Sequence, residues 1–344
     1  MAYQVRLTKW LAASLLAVFV LGLSACNIAD KEQVVGFNGL TMGTSFSVKW
    51  VDTDDSRVAA IRKQTGVLLA RINQQMSTYI DNSELSQLNR ALPGVAHPVS
   101  PELMQVLLLA QSISERTEGA FDVTVGPLVN LWGFGPDGRI AHHPEQARID
   151  QLRERVGYRF LHPDETALTL LKEHDQYIDL SAIAKGYGVD QLAELLEAEG
   201  IQRYLVEIGG ELRMKGLKPG DESWRLAIEV PQPGAREVQQ VISLEQGAVA
   251  TSGDYRNYFE ENGVRFSHTI DPRTAYPIRH QLASVTVIAA TCAEADALAT
   301  ALMVMGEEQG YNFAIEQGIN ALFISKADQG FVSRHTPGFA PYLH

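Results

Sequence analysis

The sequence predicts an α+β fold, mainly antiparallel sheets with helices packed against them, on three observations. After residue 200 candidate strands follow in close series, at 203–208, 211–217, 224–230, 238–243, 264–270 and 282–289. Turn residues stand between several of them, as Gly209-Gly210, Pro219-Gly220 and Gly263, and such short separations suit hairpins rather than the crossovers that parallel strands require. Apolar residues at helical spacing are confined to separate blocks, which places the helices as packing layers.

In chain order, residues 37–51 alternate in part through Phe46, Val48 and Trp50 and read as strand. Val58, Ile61, Thr65, Leu68, Ile72 and Met76 then share one helical face, and Leu103, Val106, Leu107, Ala110 and Ile113 repeat the pattern behind the start signal Ser100-Pro101. Phe121, Val123 and Val125 alternate with Asp122 and Thr124, which predicts a strand ended by Gly126-Pro127. Residues 132–144 are rich in Gly, Pro and His and read as an exposed loop; His142 and His143 lack other ligand types nearby and are not taken as a metal site. A short helix from 145, strands near 167–171 and 177–180, a helix from Ser181 to Glu199 and a helix from Thr291 to Met305 complete the reading.

The chain has 344 residues, 45% of them hydrophobic, enough for a substantial core. Its start carries Arg6 and Lys9 and then an apolar run from Trp10 to Leu23, short for a bilayer span of about 20 residues. The run ends in Leu23-Ser24-Ala25-Cys26, the small residues and cysteine that lipoprotein processing uses. Residues 1–25 are therefore expected to be a signal peptide, Cys26 to be lipidated, 26–35 to be a tether and 36–344 to form the folded domain. The expected location is the periplasmic side of a bacterial membrane, with the inner membrane favoured; Asn27 after the cysteine leaves the outer one open.

With 29 Lys+Arg against 41 Asp+Glu the net charge is −12, and loss of the first 25 residues removes Arg6 and Lys9 and no acid. That surface repels nucleic acid, and an anionic substrate would need a local cation. With Cys26 acylated, Cys292 has no partner for a disulfide.

Three segments could carry chemistry. Asp179-Leu180-Ser181-Ala182-Ile183-Ala184-Lys185-Gly186-Tyr187-Gly188 runs from a strand end into a helix, with Ser181 as N-cap; free N–H groups beside a lysine suit a diphosphate, while a plain capped helix with packing glycines explains the same residues. Asp296 and Thr300 stand four apart on one helix and share a face, either as hard oxygen ligands for magnesium or as polar residues flanking an alanine-rich core stripe. His268-Thr269-Ile270-Asp271-Pro272-Arg273-Thr274 ends a strand in an Asp-Pro turn, where His268 could act as a base or His268 and Asp271 could simply shape the turn. The sequence lacks GxxxxGK[ST], GxSxG and GxGxxG after a strand, so a P-loop, an α/β-hydrolase elbow and a Rossmann site are not indicated.

Together with Thr41-Met42-Gly43-Thr44, Met76-Ser77-Thr78-Tyr79, Gly119-Ala120-Phe121-Asp122, the stretch from Gly126 to Gly135 and Thr251-Ser252-Gly253, these segments resemble the ApbE family of FAD:protein FMN transferases, over most of residues 36–335. The resemblance implies a two-lobed, T-fold-like architecture. It also implies an FAD site formed by Met42, Tyr79, Ala120, Phe121, Asp122, Asp179, Lys185 and Ile270, and a magnesium site formed by Asp296, Thr300 and the carbonyl of Ala182. Two positions depart from the family pattern. Ala299 stands where some members carry a metal-binding aspartate, and Ala275 where the turn usually has glycine, at a cost of roughly 1 kcal/mol if φ is positive.

The activity so implied is transfer of FMN from FAD to a threonine or serine hydroxyl of an acceptor flavoprotein, with AMP released, His268 as the candidate base and Asp271 or Asp179 as alternatives. Implied acceptors are exported subunits of membrane redox complexes of the Nqr and Rnf type. The alternatives are an FAD pyrophosphatase, with water as nucleophile, and a non-catalytic FAD-binding lipoprotein.

Overall fold

The computed structural model describes residues 31–135, 143–232, 237–254, 258–261 and 264–344, with the side chains at 258–261, 264 and 265 excepted. The signal segment, Cys26, residues 26–30 of the tether, His142 and the Gly263 turn lie outside the described residues.

The first described element is a hairpin, β1 (Gln33–Thr41) and β2 (Thr44–Asp52), so β1 begins inside the stretch expected as tether. The helices α1 (Val58–Met76) and α2 (Glu84–Arg90), the strand β3 (Ala96–Pro98) and the helix α3 (Pro101–Arg116) follow. Ser83 and Ser100 cap α2 and α3 by accepting hydrogen bonds from Ser86 N and Leu103 N. Next come α4 (Gly126–Leu131), α5 (Gln146–Arg153), β4 (Leu161–Asp164), β5 (Thr169–Lys172) and α6 (Ala184–Ala198). The strands β6 (Tyr204–Ile208), β7 (Glu211–Lys215), β8 (Trp224–Glu229), β9 (Val238–Leu244), β10 (Gln246–Gly253), β11 (Tyr258–Glu261), β12 (Val264–Ser267), β13 (Ile270–Asp271), β14 (Tyr276–Pro277) and β15 (Leu282–Ala289) lead to α7 (Cys292–Glu316), β16 (Asn320–Lys326) and β17 (Phe331–His335).

Eight strands form one sheet in the order β1-β2-β6-β7-β10-β15-β16-β17, antiparallel at every step. It is covered on both faces, and period-two alternation divides its residues between two cores. Val48, Trp50, Val206, Ile208 and Ala248 face α6, whereas Val51, Leu205, Val249, Leu322 and Ile324 face the β8–β9 hairpin and the C-terminal turn at Pro337–Tyr342. A smaller sheet, order β3-β5-β4, shares the largest core with the main sheet, since Leu161 and Leu170 cluster with Val285 and Leu298. The two sheets thus share one core. Among the described residues no helix is long and apolar enough to cross a membrane.

Two expected strands are absent. Residues 120–125 form turns, because the buried Asp122 carboxylate accepts from Thr124 N, Thr124 Oγ1 and Tyr158 N and folds the backbone back on itself. Residues 177–180 are extended without a ladder; Ile178 exchanges hydrogen bonds with the Asn89 side chain instead. The segment expected as one strand at 264–270 is divided between β12 and β13. Ser181 does not cap α6: its hydroxyl donates to Asp179 Oδ1, and the helix starts three residues later. Ala275 does adopt a positive φ of 68°. Its fully buried methyl packs with Leu128 and Trp132, and Trp132 Nε1 donates to its carbonyl at 3.0 Å, so the turn survives the substitution.

Candidate active site

A cavity of about 660 Å³ opens beside the main sheet, walled by the 120–135 segment, the 179–185 turn, the ends of β6, β7 and β10, the hairpin β8–β9, residues 268–272 and α7. Its most charged corner is assembled where α6 and α7 touch. Gly186 makes that contact: a Cβ there would lie 2.4 Å from the Cys292 carbonyl oxygen and 2.7 Å from Ala293 Cα. Asp190, one turn on, fixes the junction by accepting from Cys292 N and Ala293 N, both at 2.9 Å, while Thr291 caps α7.

Close approach of the helices brings Lys185 Nζ to 3.7 Å from Asp296 Oδ2, which also accepts from Gly186 N at 3.2 Å. Lys185 Nζ donates to Glu211 Oε1 at 2.5 Å. Glu211 follows the Gly209-Gly210 turn, in which both glycines have positive φ, and shares a face of β7 with Arg213 and Lys215. These pair in turn with Asp190 and Glu197 on α6. Burial pushes the Glu211 carboxyl up to about 7 against the pull of Lys185, with Asp296 adding to the rise. Burial also raises Asp296, and Lys185 only partly opposes it. For Lys185 burial favours the neutral form, but the charges of Asp296 and Glu211 outweigh it and its pKa is raised. Two buried carboxylates thus share one ammonium, and Glu211 Oε2 has no hydrogen-bond partner.

Asp296, Thr300 and Val304 line the cavity at successive turns of α7, as their spacing requires, and Ala182 joins them from the 179–185 turn. Ala299 is buried in the core. Among the described residues no group of three or more His, Cys, Asp or Glu could hold a metal. The oxygen set of Asp296, Thr300 and the Ala182 carbonyl nevertheless fits a hard dication that keeps waters, and the orphaned Glu211 oxygen is a buried polar atom left without a partner beside them.

Tyr79, Ala120, Phe121, Asp122, Asp179, Lys185, Ile270 and His268 also line this cavity. Tyr79 sits at the rim, 69% exposed, and partial burial and then Asp179 raise its phenol. Asp122 braces the wall by accepting from the backbone N–H groups of Thr124 and Tyr158, and burial, working against those hydrogen bonds, raises its carboxyl. Two expected residues stand elsewhere. Met42 occupies the β1–β2 turn at φ 48° and packs over Gly188, away from the lining. Asp271 binds Arg273 through both oxygens, at 2.9 and 3.0 Å, so it is a turn residue, whereas His268 faces the cavity with its ring in edge contact with Phe134. Glu211 was not picked out from the sequence; its signal is an acid placed directly after a Gly-Gly turn, at the mouth of a half-buried strand.

The ApbE family model matches residues 42–323 of the chain. A protein of Vibrio cholerae named FAD:protein FMN transferase is 44% identical over 97% of this chain and 99% of its own length, and one of the same name from Haemophilus influenzae is 43% identical over 96% and 97%. Among solved structures, the flavin transferase ApbE of Vibrio cholerae superposes with a TM-score of 0.83 at 43% identity, covering 91% of this chain and all of that one. The flavinyl transferase ApbE of Pseudomonas stutzeri in its apo form gives 0.84 at 39%, covering 91% and 97%.

Proposed function

This chain belongs to the ApbE family, and from that premise we propose that it is an FAD:protein FMN transferase that works with magnesium on a threonine or serine of its acceptor. The observation that carries the finer reading is the cavity corner where Asp296 and Thr300 share a wall with Lys185 and the partnerless oxygen of Glu211. FAD brings a diphosphate to a protein of net charge −12, so its site needs local cations, and Lys185 is one fixed in position by two carboxylates.

In the proposed reaction the acceptor hydroxyl oxygen forms a bond to the phosphorus on the FMN side, and the bond from that phosphorus to the AMP phosphate oxygen breaks. The hydroxyl proton passes to His268, on the cavity wall, and AMP departs. A magnesium ion held by Asp296, Thr300 and the Ala182 carbonyl would, when bound, neutralise charge on the diphosphate. Lys185 orients the phosphates, Tyr79 and Phe121 contribute apolar wall to the flavin side, and Asp122 keeps the 120–125 turn in shape.

The test is intact-mass analysis of an exported Nqr- or Rnf-type acceptor domain incubated with residues 27–344, FAD and magnesium, beside a chelator control. A magnesium-dependent gain of FMN less water, with AMP released, is the expected result. Free FMN and AMP with an unmodified acceptor would replace the reading by a pyrophosphatase, and intact bound FAD by a carrier. Asp296→Ala is expected to abolish transfer; transfer at the wild-type rate would overturn the metal assignment. The lipid anchor at Cys26 and the periplasmic location belong to the same reading: tethering concentrates the enzyme where exported acceptors emerge. Full-length protein should partition with membranes, and Cys26→Ala should release it.

A further inference from the structure

Leu226, Ala227, Ile228 and Glu229 follow one another along the cavity wall. Successive side chains of a strand point to opposite faces, so the run Leu226-Ala227-Ile228 lines one cavity where the strand lies in it edge-on, and the irregularity between Ile228 and Glu229 adds the fourth residue. The hairpin β8–β9 stands apart from the large sheet, which leaves it two edges. The outer edge of β9 is covered by the chain's own end: Ile242 bridges Leu343, and His344 N donates to Val241 O at 3.1 Å.

That bond sets the direction of the facing strand. Backbone N–H and C=O of one residue in an antiparallel strand point to the same side, so those of Val241 point away from β8. Val241 is paired with Ala227. The N–H and C=O of Ala227 therefore point away from β9, to the open edge, where they have no backbone partner among the described residues. Ala227 is exposed, and the stretch from Leu226 to Ile228 carries none of the charges or prolines that usually block an edge.

We propose that an extended, serine- or threonine-bearing segment of the acceptor protein docks on β8 as a third strand of this hairpin, main chain to main chain at Ala227. This rests on the transferase reading, which requires a protein hydroxyl to reach into a cavity. A segment laid along β8 does so by strand geometry, since every second side chain turns to the cavity face while the backbone pairing supplies affinity without a demand on sequence. The edge is continuous with the reaction cavity, so docking and delivery are one event.

Transfer by the wild-type protein to the acceptor domain of the mass assay is measured first, so that failure of the transferase reading appears as no adduct at all. Hydrogen exchange at the Ala227 amide is then followed in residues 27–344 with and without that domain, FAD omitted. At least tenfold slowing on adding the acceptor is expected. An unchanged rate beside normal adduct formation overturns the docking site, and so does an amide already protected in the free enzyme, because the chain itself would then cover the edge. Ala227→Pro removes the N–H at an edge position where proline is tolerated. It should raise KM for the acceptor tenfold or more and move the Kd for FAD less than twofold; an unaltered acceptor KM overturns the proposal.

Discussion

Lys172 is fully buried and Lys185 partly so, and the protein uses them in opposite ways. Lys172, in the small sheet, is fully buried and donates only to carbonyls, Asn89 O at 3.0 Å and Gln176 O at 3.3 Å, and burial lowers its pKa. Lys185, on the cavity wall, has two carboxylates for partners, and they raise its pKa against burial. The first ties a loop to a strand by satisfying backbone acceptors that water cannot reach. The second belongs to a cluster of two buried acids around one ammonium, the kind of perturbed group that gathers at functional sites. Burial of a lysine alone carries no functional message; the charge of its partners does.

The largest effect is expected from Gly186→Ala, which attacks the helix contact on which the Lys185 cluster depends. Its methyl would meet the Cys292 carbonyl at 2.4 Å, backbone that cannot easily yield. Denaturant unfolding should show a loss of about 3 kcal/mol, with transfer abolished even where the protein remains folded. A folded and active variant would mean that the two helices are not locked together. Lys185→Met comes next: about 100-fold lower kcat/KM for FAD per folded molecule, together with a lower Tm, because two buried carboxylates lose their ammonium.

Lys172→Met should lower stability alone. It keeps the volume but leaves two buried carbonyls unpaired, which costs about 2 kcal/mol in thermal or denaturant unfolding while turnover per folded molecule is retained. If it instead lowered turnover as Lys185→Met does, the division between the two lysines would fail.

The last effect is one of pH. Glu211, pushed up to about 7 from the ordinary 4.5, keeps its proton in the folded protein after the unfolded chain has released it. Stability of the metal-free protein should therefore fall as pH rises through that interval, by about 3 kcal/mol at most, and below it the effect vanishes because both states are protonated. Calorimetric Tm values across the window should show a flatter dependence in Glu211→Gln.

Much of this fold was legible in the sequence. The apolar positions at helical spacing between Val58 and Met76 all fall in α1, and the strand expected at 282–289 is β15. Asp296 and Thr300 were put on one face and both reach the cavity. Each of these signals is local. Alternation misled at Phe121, Val123 and Val125, which are drawn inward by the turn that Asp122 forms with Thr124 and Tyr158. β10, rich in small residues, and β16 and β17 were not identified, although β10 is central to the sheet.

By itself the sequence determined the α+β class, most helices, the hairpin turns and the face shared by Asp296 and Thr300, because these follow from steric preference and periodicity within a few residues. Tertiary structure alone decided that Glu211 grips Lys185, that Asp271 is taken up by Arg273, that Met42 packs away from the cavity, and that β8 lies open along it. Those outcomes depend on which distant backbones can approach one another, as at Gly186, and on which buried charges then find a partner, and neither is written in the spacing of residues along a chain.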